Sequence, residues 1–404
     1  MSYPRLNSLT TSSRDTWLSA PLNQQAVTIA EGALAELGKI LREAKARNIF
    51  LVVDEIAWEQ SGASEVLRSE LKPENIARFS NFQPNPKIED VERGVIACRE
   101  ANPDAVIAFG GGTAIDLAKM IAAFSQHEAA PREVAPRGFS FPNGSLPLIA
   151  IPTTAGTGSE ATHFAVVYVE GQKYSIASSC LLPGWVIIDP KLTYSVPPRM
   201  TAATGLDAFC QAIESIWSVG ATEESVGYAV EAARLAKNSL AEATHRSSAP
   251  SRGAMCQAAH LAGKAINISK TTLPHAISYA LTSDYGIPHG AAVAATLSCV
   301  LAFNFEVSAE DCSDPRGVEH VRRRLAMILE VLEADDAEEA CQNVERLIQN
   351  LNCFPSLAAA GVVSDEQIRA IASRVNLERL ANNPRRIAQD QLIALLRHSQ
   401  TSPR

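Results

Sequence analysis

Apolar residues fall into two rhythms along this chain, and the rhythm changes near residue 195. In the first half they come as short continuous runs: NIFLVVDE (48–55), DAVIAFGGG (104–112) and LPLIAIPTT (146–154). Runs of this length, closed by polar or glycine-rich residues, predict strands buried on both faces. Between the first two, KIEDVERGVIACREAN (87–102) sets Val91, Val95 and Cys98 on one face at helical spacing. Alternating strands and helices predict a parallel sheet covered by helices on both sides. Ligands of such sheets bind outside the carboxyl ends of the strands.

The second half is helical. VIIDPKLTYSVPP (186–198) marks the change with an Asp-Pro and a Pro-Pro pair. After it GLDAFCQAIESIWS (205–218), EHVRRRLAMILEVL (319–332) and EEACQNVERLIQNL (338–351) carry helical periodicity. SDEQIRAIASRV (364–375) opens with Ser364 and Gln367 in capping-box spacing. The pattern predicts an α/β domain of Rossmann-like type over residues 1–194 and an all-α domain over 195–404, with a cleft between them. No internal repeat or low-complexity segment is visible.

Composition narrows the function. The 404 residues are 46% hydrophobic and 20% charged, with a net charge of −8 and a pI near 5.6. No basic cluster dominates, which argues against nucleic acid or an anionic membrane as partner. The opening MSYPRLNSLTTSSRDTW lacks the apolar segment of a signal peptide, and no run reaches membrane-spanning length. Eight cysteines, from Cys98 to Cys353, form no CxxC pair. Neither disulfides nor a zinc-thiolate site is expected, and a reduced cytoplasmic setting is.

Two loops suggest a nucleotide. IAFGGGTAIDLAKMIA (107–122) is a strand running through three glycines into a helix. There the backbone can approach a phosphate and the helix offers free N–H groups. IPTTAGTGSEAT (151–162) is a second loop of this kind, richer in hydroxyls. Asp54, after the strand FLVV, reads either as a partner for a ribose 2′-hydroxyl, favouring NAD(H) over NADP(H), or as an ordinary strand-end Asp.

TTLPHAISYALTSDYGIPHG (271–290) holds two of the eight histidines, His275 and His289. GGGTAIDLAK, IPTTAGTGSEAT, GLDAFCQAIES and the PHA…PHG pair occur in this order, and together they resemble the iron-containing (group III) alcohol dehydrogenase family. The resemblance runs from about residue 25 to NNPRRIAQDQL near the C-terminus. It implies the architecture shared by dehydroquinate synthase and iron-type alcohol dehydrogenases, with a divalent metal, Fe(II) or in some members Zn(II), in the cleft. Carried onto this chain, it implies Asp207, His275 and His289 as ligands, with Gln211 where iron-type members normally have histidine. Asp207 and Gln211 are i,i+4 and project from one helix face. Asn85, Gly111, Gly112, Thr113, Asp116, Thr153, Thr154, Thr157, Ser159 and Lys173 are implied as cofactor contacts beside Asp54. One turn past His275, Tyr279 replaces a histidine that relays a proton in many members. It reads as a proton donor or as cleft wall.

The reaction implied is hydride transfer between nicotinamide and a small aldehyde or alcohol. KAINISKTTLPHA (264–276) adds a substrate clue. Pro274 suits a first helical turn, so Ser269, Lys270, Thr271 and Thr272 are expected at a helix N-terminus, as an anion site beside the metal or as simple capping. The segment and Gln211 resemble the phosphonoacetaldehyde reductase branch, which implies reduction of phosphonoacetaldehyde to 2-hydroxyethylphosphonate with Lys270 at the anion. Reduction of plain or carboxylated aldehydes, a lyase resembling dehydroquinate synthase, and an inactive binding protein are the alternatives. A homodimer is expected from the architecture. Arg385 and Arg386 are expected at the surface or between domains.

Overall fold

A computed structural model describes residues 25–61, 63–352, 357–375 and 377–401 of the chain. The N-terminal stretch tested above for a signal peptide and Cys353 lie outside the described residues.

The three apolar runs become β2 (Ile49–Val53), β4 (Ala105–Gly110) and β5 (Leu148–Pro152), each buried along its whole length. They sit in the middle of a parallel sheet, completed by β1 (Ala26–Ile29), β3 (Ile76–Phe79) and β8 (Trp185–Ile188), in the order β1-β8-β5-β4-β2-β3. Side chains alternate between two cores, as strand geometry requires. Phe50, Val52, Val106 and Ala108 face α4 (Ile88–Ala101) and α5 (Gly112–Phe124). Ile49, Leu51, Val53 and Ile107 face α1 (Leu37–Glu43), α2 (Glu55–Ser61) and α3 (Ala63–Glu70). A four-residue helix, α6 (Pro131–Val134), follows α5.

One element departs from the expected alternation. β6 (Phe164–Val169) and β7 (Gln172–Ala177) form a separate antiparallel hairpin. Its two-residue turn is Glu170-Gly171, both at positive φ (50° and 78°), the geometry that suits a tight hairpin.

The second half is wholly helical among the described residues. α7 (Pro198–Trp217) starts at the second proline of the Pro-Pro pair, where a missing N–H costs nothing. It is buried almost all round by α8 (Glu223–His245), α9 (Ala249–Ser269), α10 (Leu273–Tyr285) and α11 (His289–Phe305). α12 (Val318–Leu332), α13 (Ala337–Leu351), α14 (Asp365–Ser373), α15 (Leu377–Ala381) and α16 (Gln389–Thr401) complete it. Ser364 and Gln367 form the expected reciprocal cap of α14.

The two halves meet along α9. Arg252 donates to Thr193 O at 2.7 Å, His260 faces Glu160 at 3.3 Å, and Asn267 accepts from the backbone N–H of His163 at 2.8 Å. These contacts seat α9 against the segments that follow β5 and β8. No described helix is long and apolar enough to cross a membrane.

Candidate metal and nucleotide site

Three helices deliver the metal candidates. Asp207 and Gln211 lie one turn apart on α7, His275 is in the first turn of α10, and His289 opens α11. His275 Nε2 is 3.3 Å from Asp207 Oδ1, and His289 Nε2 is 3.9 Å from the same oxygen. All three donor atoms lie within 4.8 Å of one another. Ligands about 2.0–2.2 Å from a shared ion stand roughly 3–3.6 Å apart, so the first pair already fits and the His289–Asp207 pair is a few tenths of an ångström too wide. Gly290 makes the approach possible: a Cβ there would collide with Ala203 O on α7 and sit 2.7 Å from Asp207 N.

Behind the cluster is a residue the sequence reading did not single out. Glu214 lies two turns along α7 from Asp207 and is fully buried. One carboxylate oxygen accepts a hydrogen bond from His275 Nδ1. The other accepts from Thr272 N (2.7 Å) and Thr272 Oγ1 (2.8 Å), and Thr272 Oγ1 in turn accepts from Trp217 Nε1 (2.9 Å). Carboxylate, imidazole and ion in series is how proteins fix the tautomer of a ligating histidine. Spacing held the available signal, because positions 207, 211 and 214 share one helical face.

The local field favours a cation. Burial opposes charge on His275, but the Glu214 and Asp207 carboxylates outweigh it and raise its pKa to about 10. Burial also opposes charge on Asp207, yet hydrogen bonding from His275 and the fields of His289 and His275 hold it below the usual carboxylate range. His289 moves the other way. Burial and then the Lys173 ammonium push it down to about 3, which leaves a neutral imidazole with a lone pair to give.

Gln211 also fits a metal. Its amide nitrogen donates to Thr157 O at 3.3 Å, while its Oε1 is buried with no hydrogen-bond partner among the described residues. A buried acceptor left without a donor is costly unless something else meets it, and a divalent cation would. Imidazole is the stronger donor. Gln211→His is therefore expected to tighten Fe(II) or Zn(II) binding about tenfold or more, on the scale of ligand-sphere changes. Competition against a chelator measures this, and equal or weaker affinity in the variant would count against Gln211 as a ligand.

The nucleotide candidates gather at the strand ends. Gly111 and Gly112 start α5 against the second loop: a Cβ on Gly112 would lie 2.7 Å from Thr157 Oγ1. Thr153 N donates to Gly110 O, and Thr157 Oγ1 accepts from Ser159 N. Thr154 Oγ1 stands beside Gly111. Thr113 Oγ1 accepts from the N–H of Asn85, an exposed residue at φ 67°. Asp54 follows β2, and its Oδ1 caps α2 by accepting from Ile56 N (3.1 Å) and Ala57 N (3.2 Å), leaving Oδ2 outside that cap.

Asp116 is employed internally. Its carboxylate accepts from Ser159 Oγ and from Val166 N (3.0 Å), and burial raises its pKa. Its counter-charge is Lys119, also missed in the sequence. Lys119 Nζ is fully buried and donates to Ser159 Oγ, Thr162 Oγ1 and Phe164 O at 2.8–3.2 Å.

Tyr279 and Lys173 do reach the metal cluster. The Tyr279 ring stacks on His289 with centroids 6.3 Å apart, and Lys173 Nζ lies 4.0 Å from the Tyr279 ring centroid. Burial works against the phenolate, but the charges of Lys173, Arg379 and His275 together offset it and move Tyr279 below the ordinary tyrosine range.

The segment expected to form an anion site at Lys270 has a different local setting from a simple helix start. Ser269 is the last residue of α9, and Lys270 is its exposed C-cap at φ 59°, so neither stands at the start of α10. The end of a helix repels anions. Ser269 Oγ bonds Ser215 Oγ and Ala265 O, and the Thr272 N–H is met by Glu214. The anion at this helix N-terminus is the protein's own carboxylate. Arg385 pairs with Asp311 and Glu306, and Arg386 bonds Cys312 O and Glu310 O, so both tie the C-terminal segment down.

Residues 24–190 match the family model described as iron-containing alcohol dehydrogenase. Residues 201–400 match that of the Fe-containing alcohol dehydrogenase family, C-terminal. A phosphonoacetaldehyde reductase of Streptomyces viridochromogenes is 36% identical over 74% of this chain and 76% of its own. A 1-propanol dehydrogenase of Salmonella typhimurium is 33% identical over 82% and 84%. A crystal structure of sulfoacetaldehyde reductase from Bifidobacterium kashiwanohense in complex with NAD+ superposes with a TM-score of 0.84 at 28% identity, over 94% of this chain and 98% of that one.

Proposed function

The chain belongs to the iron-containing alcohol dehydrogenase family, and from that premise we propose that it uses NADH to reduce a short aldehyde bearing an anionic head group, phosphonoacetaldehyde foremost. The observation that carries this reading is the Gln211 bridge. Its side chain bonds the second nucleotide loop at Thr157 O and lies one turn from Asp207, so cofactor loops and metal donors line one cleft. Two relatives support the anionic head group, since one is named for phosphonoacetaldehyde and another for sulfoacetaldehyde.

When bound, a divalent cation supplies Lewis acidity at the carbonyl oxygen and the nicotinamide supplies hydride. Asp207, His275 and His289 would hold the cation, with Gln211 Oε1 as a fourth donor. With a cation in place of the Nε2 proton, Glu214 would keep the other His275 proton on Nδ1, so that Nε2 gives its lone pair. Gly111, Gly112, Thr113, Thr154 and Thr157 place backbone and hydroxyl groups where a dinucleotide pyrophosphate would lie. Asp54 Oδ2 is suited to a ribose 2′-hydroxyl and would repel a 2′-phosphate, which favours NAD(H) over NADP(H). Tyr279 Oη holds the proton for the product oxygen, and the Lys173 charge makes that phenol a better acid at neutral pH.

The test is NADH oxidation against phosphonoacetaldehyde, sulfoacetaldehyde and propanal, with Fe(II) or Zn(II) restored to chelator-stripped protein. We expect metal-dependent turnover with higher kcat/KM for the two anionic aldehydes. Silence with every aldehyde in the presence of metal would overturn the reading. Preference for propanal, as the 1-propanol dehydrogenase relative suggests, would overturn the anionic substrate alone.

A further inference from the structure

If the SKTT segment is not the anion site, a substrate with a charged head group needs another cation beside the metal cluster. One lies beside Tyr279. Arg379 is on α15, which packs on α10, and it is close enough to the Tyr279 phenol to lower its pKa. Lys173 reaches the same ring from the β6–β7 hairpin of the other half of the molecule. The ring itself stacks on His289. Two cations, one from each half of the chain, thus converge on one aromatic side chain next to the metal donors.

Arg379 is also held in place. α15 packs on α10. Three residues on, Asn382 Nδ2 donates to Ser269 O (2.8 Å) and Thr271 O (3.0 Å), while its Oδ1 accepts from Gly220 N (2.9 Å). The segment that carries Arg379 is therefore clamped to the α9–α10 connection, just ahead of His275. A planar guanidinium suits phosphonate and sulfonate, whose oxygens accept two parallel N–H bonds. Lys173 adds a point charge from the other side.

We propose that Arg379, with Lys173 across from it, is the specificity determinant that grips the anionic head of the aldehyde while the carbonyl end faces the Asp207–His275–His289 cluster. This assignment rests on the function proposed above and names the residue that selects its substrate class.

The test compares Arg379→Ala, Arg379→Lys and Tyr279→Phe in the full chain with metal restored. Kinetics use sulfoacetaldehyde and propanal, and calorimetry uses methylphosphonate as a probe that needs no turnover. Losing charge-assisted hydrogen bonds should lower the sulfoacetaldehyde-to-propanal ratio of kcat/KM about tenfold to a hundredfold in Arg379→Ala, chiefly through KM. Arg379→Lys should restore part of it. Methylphosphonate binding should weaken by a similar factor. An Arg379 that merely positioned Tyr279 would slow both aldehydes alike, and Tyr279→Phe would reproduce its effect. Either result, or methylphosphonate binding unchanged in Arg379→Ala, overturns the assignment. Failure of the wild type to reduce any aldehyde would reject the parent reading, while the calorimetric arm would still decide whether Arg379 binds the anion.

Discussion

Glu214→Gln should weaken divalent metal binding about tenfold to a hundredfold with little change in far-ultraviolet circular dichroism, because Gln keeps the shape of Glu but cannot meet its partners. The carboxylate receives three donors: His275 Nδ1 on one oxygen, and the backbone N–H and hydroxyl of Thr272 on the other. An amide has one acceptor end. If that end faces Thr272, the NH2 group meets His275 Nδ1 and moves the ring proton to Nε2, the atom that faces Asp207. If the amide is flipped, its NH2 points at the Thr272 donors, and a buried donor left unmet costs about 1–3 kcal/mol. In both cases the cluster loses a ready lone pair or its rigid support. Metal competition with a chelator and imidazole tautomer shifts in NMR spectra check this. A folded Glu214→Gln protein with wild-type metal affinity would remove Glu214 from the site.

Such a residue shows where the sequence is legible. Strands β2, β4 and β5 are readable because burial on both faces forces unbroken apolar runs. β1 and β3, four residues each at the sheet edges, carry mixed burial and no such run. The β6–β7 hairpin left a period-two trace in FAVVYV, buried at alternate positions, and a Glu-Gly turn. It passes for another run unless the turn is weighed. His275, His289 and Asp207 are visible as motif residues. Glu214 is not, since an acidic residue on a helix usually faces water, and only the burial of α7 on all sides turns it inward. The C-cap setting of Lys270 is hidden in the sequence for a similar reason. Pro274 marks where α10 begins, but no glycine marks where α9 ends, because Lys270 itself takes the positive-φ C-cap position.

The other large effect should come from Lys119→Met, which is expected to destabilise the protein by about 3–5 kcal/mol, as breaking a buried ion pair does. Met fills the volume of the lysine stem, so the loss isolates the ammonium. That ammonium binds α5 to the connection between β5 and β6 through Ser159 Oγ, Thr162 Oγ1 and Phe164 O, and lies 3.9 Å from Asp116. Burial lowers the lysine pKa to about 8 and raises that of Asp116, so each charge persists through the other. Removing the cation leaves the Phe164 carbonyl with only the longer bond from Thr162 Oγ1 (3.2 Å) among its side-chain donors and the Asp116 carboxylate without a counter-charge. Asp116→Asn should be costly for the mirror reason. The double variant should then lose less than the sum of the two single losses, because neither charge remains to be stranded. Urea unfolding of the four proteins measures the coupling. Dinucleotide affinity should fall alongside stability in Lys119→Met, since Ser159 N donates to Thr157 Oγ1 and so shapes the loop against Gly112. Strictly additive losses, or a Lys119→Met protein as stable as the wild type, would show that the ammonium is a passenger in that loop and not its anchor.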